Sequence, residues 1–247
     1  MFDMTLDAGL VELGASVGTA GVMAAAWAHA ALRPESQIFG RTLISGVNPR
    51  QMALTYDDGP NDACTESLLE TLDRYQARAA FFMIGRFARM RPDLVRAVHQ
   101  AGHIVGNHTN THVWLAWQSA RRIREEIYRA NATLEDILGA PIRYFRPPHG
   151  ARRPAVLRIA SELGLTTVQW NVMGNDWEPL GCAQIVGLVN EGIERARQNS
   201  VGSNILLHDG WDVQMGGDRQ ATVDATANLL RQFQLDGESV VTLDAWR

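Results

Sequence analysis

Residues 51–60 read Gln-Met-Ala-Leu-Thr-Tyr-Asp-Asp-Gly-Pro. A short apolar run, Met52–Tyr56, ends on two adjacent carboxylates, Asp57 and Asp58, and Gly59-Pro60 then turns the chain. A buried strand delivers polar groups to its C-terminal end in this way. The pattern repeats outward from this stretch, with apolar runs at Ala79–Ile84, His103–Gly106, Tyr144–Arg146, Thr166–Val172, Asn204–Leu207 and Ser239–Leu243. Between them apolar residues fall at helical spacing, as in Leu68, Leu69, Leu72 and Tyr75, then Ile123, Ile127 and Leu134, then Leu229, Leu230 and Phe233. Strand–helix alternation of this kind predicts an α/β fold of parallel strands with right-handed crossovers. A closed or nearly closed β/α barrel accounts for it better than an open sheet, although periodicity alone does not separate the two.

The polar residues gather at the C-terminal ends of these runs: Asp57 and Asp58, His108, Arg146, Asp176, and His208 with Asp209. In a β/α barrel that face carries the active site.

Composition narrows the function classes. Hydrophobic residues make up 46% and charged residues 20% of 247, enough apolar mass for a core. The net charge of -4 gives no support to a nucleic-acid partner. All 23 basic residues are arginine, which excludes Schiff-base and phosphate-loop lysine chemistry. Cys64 and Cys182 form no CxxC and read as inert thiols.

Residues 1–48 stand apart as an N-terminal extension to a domain at 49–247. Residues 13–32 carry no formal charge and are rich in Ala and Gly, a stretch that could just span a bilayer. Asp3, Asp7 and Glu12 precede it with no basic residue, so a signal-peptide n-region is missing. A helix packed on the domain and a membrane-associated segment are both open readings, as are compartment and oligomeric state.

Each polar cluster has a plain reading beside a functional one. Asp57-Asp58-Gly59-Pro60 could be a turn with a helix cap, yet two adjacent carboxylates repel unless a cation compensates. His108 and His112, four apart, would share one face of a helical turn; with Asp58 they make two imidazoles and a carboxylate, a catalytic metal set with open positions. Arg146-Pro147-Pro148-His149-Gly150 reads as a rigid loop that sends Arg146 to a carboxylate and the His149 N–H to an oxyanion. His208 ends an apolar strand as a core histidine would, but a partner such as Asp176 makes it a general acid. Trp177 is either core or a wall on which a sugar ring stacks; Trp114, Trp117, Trp170 and Trp211 are lesser candidates.

Together, TYDDGP at 55–60, HTNTH at 108–112, RPPHG at 146–150, NDW at 175–177 and LLHDG at 206–210 resemble, in order, the five motifs of the polysaccharide deacetylase family. This family is also called the NodB homology domain or carbohydrate esterase family 4. The likeness runs from about Gln51 to Leu243 and implies a distorted (β/α)7 barrel. It implies Asp57 as general base oriented by Arg146, and His208 as general acid oriented by Asp176. Asp58, His108 and His112 would hold one divalent metal, zinc before cobalt or nickel. His149, Trp177, Leu206 and Tyr56 would meet the substrate, Leu206 beside the acetyl methyl. The implied reaction removes N-acetyl groups from chitin-like or peptidoglycan glycans containing N-acetylglucosamine, with an O-acetyl esterase or amidase on another acylated substrate as the alternative and a non-catalytic carbohydrate-binding relic as the third reading. Tyr56 stands where the family usually has Phe, and Met173 where it often has Asp.

Overall fold

The computed structural model describes residues 22–247 of the chain. Its strands are β1 (Gln51–Asp57), β2 (Ala80–Met83), β3 (Ile104–Asn107), β4 (Tyr144–Phe145), β5 (Thr166–Thr167), β6 (Val172–Met173), β7 (Ser203–His208) and β8 (Ser239–Val240). They run in the order β5-β4-β3-β2-β1-β7-β6, with β8 pairing the start of β1, and every registered pair is parallel. The result is a distorted (β/α)7 barrel with β5 and β6 as the end strands of its sheet.

Side chains along β1 alternate by the two-residue period of a strand. Met52, Leu54 and Tyr56 enter the larger core beneath the helices, while Ala53 joins Ala80, Phe82, Tyr144, Val168 and Leu243 in a smaller inner core. Thr55 and Asp57 share the inward parity of Ala53, which points the first catalytic candidate into the barrel.

The run expected as one strand over Thr166–Val172 divides in two. Side chains of Asn171 and Asn204 take over the ladder at the break. Asn171 accepts from the Asn204 N–H at 2.8 Å and donates to the Gly202 carbonyl at 2.9 Å, and Asn204 donates to the Gln169 carbonyl at 2.7 Å. Leu43 fills in beside the break. Its N–H donates to the Thr167 carbonyl at 2.9 Å and its carbonyl accepts from Gln169 N–H at 2.8 Å.

The helices are α1 (Thr65–Arg74), α2 (Gly85–Met90), α3 (Pro92–Gln100), α4 (Ala120–Leu138), α5 (Pro154–Glu162), α6 (Cys182–Gln198) and α7 (Gln220–Asp236). In α4, Ser119 caps the start by accepting from the Arg122 N–H, and Gly139 ends it at φ 64°. Ile123, Ile127, Ala130 and Leu134 bury one stripe of this helix.

Residues 22–32 are helical, with Ala30 and Ala31 buried. The uncharged stretch 13–32 lies in part outside the described residues. Among the described residues no helix is long and apolar enough to cross a membrane. Both cysteines are free.

Candidate active site

Asp57 is the last residue of β1, and its register partner His208 is the last residue of β7. Adjacent parallel strands thus bring a carboxylate and an imidazole to one rim. Arg146, fully buried, donates from one nitrogen to Asp57 Oδ1 at 2.8 Å and to Thr55 Oγ1 at 2.9 Å. Its guanidinium lies over the Phe82 ring, 4.2 Å from the centroid. Burial raises the Asp57 pKa, and the Arg146 charge works against that rise.

Asp58 sits at φ 72°, a left-handed conformation that breaks the strand alternation, and its Oδ1 and Asp57 Oδ2 both approach His108 Nε2, at 3.5 and 3.7 Å. The backbone crosses itself closely here: a Cβ on Gly210 would stand 2.1 Å from the Asp58 carbonyl oxygen. Only glycine fits that crossing.

The segment 108–112 is a loop, not the helical turn expected from the four-residue spacing. Thr109 and His112 take φ of 67° and 58°. Polar groups beneath it supply the bonds a helix would have made. Asn107 accepts from the Thr109 N–H and donates to the Ile127 carbonyl, each at 2.8 Å. Glu126 of α4 accepts from the Thr111 N–H and hydroxyl, both at 2.8 Å. The loop still brings His108 Nε2 within 3.5 Å and His112 Nε2 within 3.2 Å of Asp58 Oδ1.

These three residues fit a metal ion. Their ligand atoms lie within 4.8 Å of one another. Asp58 Oδ1 is buried without a hydrogen-bond partner among the described residues. His108 Nδ1 is engaged at 2.8 Å by the Arg146 carbonyl, which leaves Nε2 as the ligand atom. Burial pushes His112 down to about 3 and His108 well below its ordinary value, so both imidazoles are neutral. Burial also raises Asp58 to about 7, a cost that a bound cation would offset.

His208 completes the rim. Its Nδ1 is 2.8 Å from Asp176 Oδ1, and Asp176 Oδ2 accepts from the His208 N–H at 2.8 Å and the Thr222 hydroxyl at 2.7 Å. Burial opposes the imidazolium, but the carboxylates of Asp176, Asp58 and Asp57, Asp176 foremost, together outweigh it and push His208 up to about 9. A protonated imidazole at this rim has the chemistry of a proton donor.

A cavity of about 590 Å³ opens over these groups, lined by Asp57, Asp58, His108, His112, His149 and His208 together with Trp177 and Leu206. His149 takes φ 57°, and its ring stacks on Trp114 at 3.9 Å. Trp170 and Trp211 also line the cavity, whereas Trp117 lies outside it.

Tyr56 is the exception among the expected substrate contacts. Its ring is fully buried on the helix side of β1, stacked on Phe81, with its hydroxyl 3.0 Å from Thr226 Oγ1. The residue beside an inward Asp57 must face outward, so Tyr56 is a core residue.

Several cavity residues carry no sequence signal. Asp212 Oδ2 lies 3.2 Å from His112 Nδ1, and Arg219 donates to the carbonyls of Gly210 and Asp176. Leu32, Arg33 and Pro34 line the cavity from far along the chain. The LLHDG motif could have drawn attention to Asp212, two residues beyond it.

Fold and site define a class: a β/α-barrel hydrolase with an Asp-His-His cluster at the C-terminal mouth of its strands. The chain belongs to the polysaccharide deacetylase family, whose family model matches residues 45–168. It is 36% identical over 209 residues to a chitooligosaccharide deacetylase of Azorhizobium caulinodans, covering 81% of this chain and 96% of that protein. It is 34% identical over 198 residues to a peptidoglycan-N-acetylglucosamine deacetylase of Bacillus cereus, covering 79% and 87% respectively. The solved structure of the Bc1960 peptidoglycan N-acetylglucosamine deacetylase superposes with a TM-score of 0.74 at 29% identity, over 83% of this chain and 91% of that one.

Proposed function

We propose that the chain hydrolyses the acetamide of N-acetylglucosamine units in an oligo- or polysaccharide, releasing acetate and a free amino sugar. The observation that carries this reading is the register pair Asp57 and His208 beside the Asp58-His108-His112 cluster. A divalent cation bound there, zinc before cobalt or nickel given two imidazoles and a carboxylate, would polarise the carbonyl and acidify a water.

The chain's own residues move the protons. Asp57, aimed by Arg146, takes a proton as water adds to the acetamide carbon. The His149 N–H donates to the developing oxyanion. His208, held charged by Asp176, gives its proton to the nitrogen as the C–N bond breaks. Leu206 closes the space around the acetyl methyl, and Trp177 offers its face to the sugar.

Acetate release from N-acetylglucosamine oligomers, set against release from O-acetylated xylan with zinc added, tests this proposal. Preference for the oligomers is the expected result; preference for the xylan would make the protein an esterase. Asp57→Asn should lower kcat by about 10²- to 10⁴-fold while zinc content by metal analysis stays unchanged. Near-normal turnover in that variant would remove Asp57 as the base.

A further inference from the structure

One wall of the cleft comes from Leu32, Arg33 and Pro34, all before residue 45, where the family match begins. Arg152 clamps this segment in place. Its guanidinium donates to the carbonyls of Arg33 at 2.7 Å, Pro34 at 3.2 Å, Ser36 at 2.6 Å and Gly150 at 3.1 Å. Its backbone N–H donates to the Ala31 carbonyl at 2.9 Å. Arg152 is fully buried, and no carboxylate pairs with it among the described residues. A buried charge neutralised only by carbonyls is costly unless they stay in place. The clamp therefore holds the path of residues 31–36.

The clamp takes the carbonyl of Arg33 and leaves its side chain exposed at the cavity. The other cations around the site are already engaged. Arg146 serves Asp57, and Arg219 serves two carbonyls. Among the described residues Arg33 is in no ion pair. A guanidinium carried by a clamped backbone at the edge of the cleft suits a carboxylate, which it can grip with two parallel donors.

We propose that the clamped segment 31–36 is a substrate-binding wall and that Arg33 is a specificity-determining residue, selecting glycans with a carboxylate near the reacting acetamido sugar over neutral ones. The inference rests on the glycan N-deacetylase reading. The test compares two tetrasaccharides at low salt with zinc present: an N-acetylglucosamine tetramer, and one in which alternate sugars carry a 3-O-lactyl carboxylate. Wild-type protein should favour the acidic tetramer. Arg33→Gln should raise KM for that substrate roughly three- to tenfold with kcat held, and leave the neutral tetramer unaffected. Arg33→Glu should weaken the acidic tetramer further. An unchanged KM for the acidic glycan, or an equal shift on both substrates, would overturn the role of Arg33, as would wild-type activity confined to the neutral tetramer. Acetate from neither glycan would overturn the deacetylase reading itself, and this inference with it.

Discussion

In the proposed reaction Asp57 and His208 carry the protons, and the surroundings of each shift its pKa upward. His208 is raised from an ordinary 6.5 to about 9 because burial, which lowers it, is outweighed by Asp176 together with Asp58 and Asp57. A general acid works in its protonated form, so kcat/KM should hold through neutral pH and fall as pH passes about 9. Asp176→Asn removes the foremost offsetting charge and leaves burial, which lowers the pKa of an imidazole. The alkaline limb of the pH–rate profile should then move toward acid; a limb that stays in place would detach Asp176 from this role. The same shift bears on stability. A pKa raised on folding adds stability fully present below pH 6.5 and lost as pH rises through about 9. His108→Ala should lose zinc by metal analysis as well as activity, since it removes one of three ligand atoms.

Local backbone geometry at this mouth is shaped by close approaches more than by propensity. Seven described non-glycine residues have positive φ, and Asp58, Thr109, His112, His149 and Asn175 among them all fall within the motifs. Such strain persists where the surroundings over-determine the backbone. Gly210 is part of that constraint, because a Cβ there would meet the Asp58 carbonyl at 2.1 Å. Gly210→Ala should therefore destabilise the fold by about 1–3 kcal/mol in denaturant melts and weaken zinc binding in a competition assay. Wild-type zinc affinity in that variant would show that the crossing does not position Asp58.

Across the whole molecule, the site draws on six strands and on a segment that precedes the barrel. Metal removal should be felt globally, because Asp58 just after β1 and the histidines of the loop after β3 would share one ion only in the folded chain. At zinc near 100 times its dissociation constant, the bound state gains about 2.7 kcal/mol. Chelation should lower the melting temperature by roughly 5–10 °C, and added zinc should restore it. A melting curve indifferent to chelator would argue against a site held by these three residues.

The strand–helix alternation and the five polar clusters were legible in the chain, because burial imposes periodicity and strand ends expose chemistry. The alternation along β1 already placed Asp57 inward and Tyr56 outward, so the core position of Tyr56 was readable by strict counting. Other features needed the fold. The spacing of His108 and His112 suits a helical turn, and only Asn107 and Glu126 beneath it decide that the segment is a loop. Asp212, Arg219 and Arg33 sit in no motif, and they reach the cleft through packing between segments distant in sequence. Local sequence thus determined which groups could do chemistry and on which end of the strands they lie. Tertiary structure alone decided which of them share a cavity, because shared cavities depend on long-range contacts that no local period encodes.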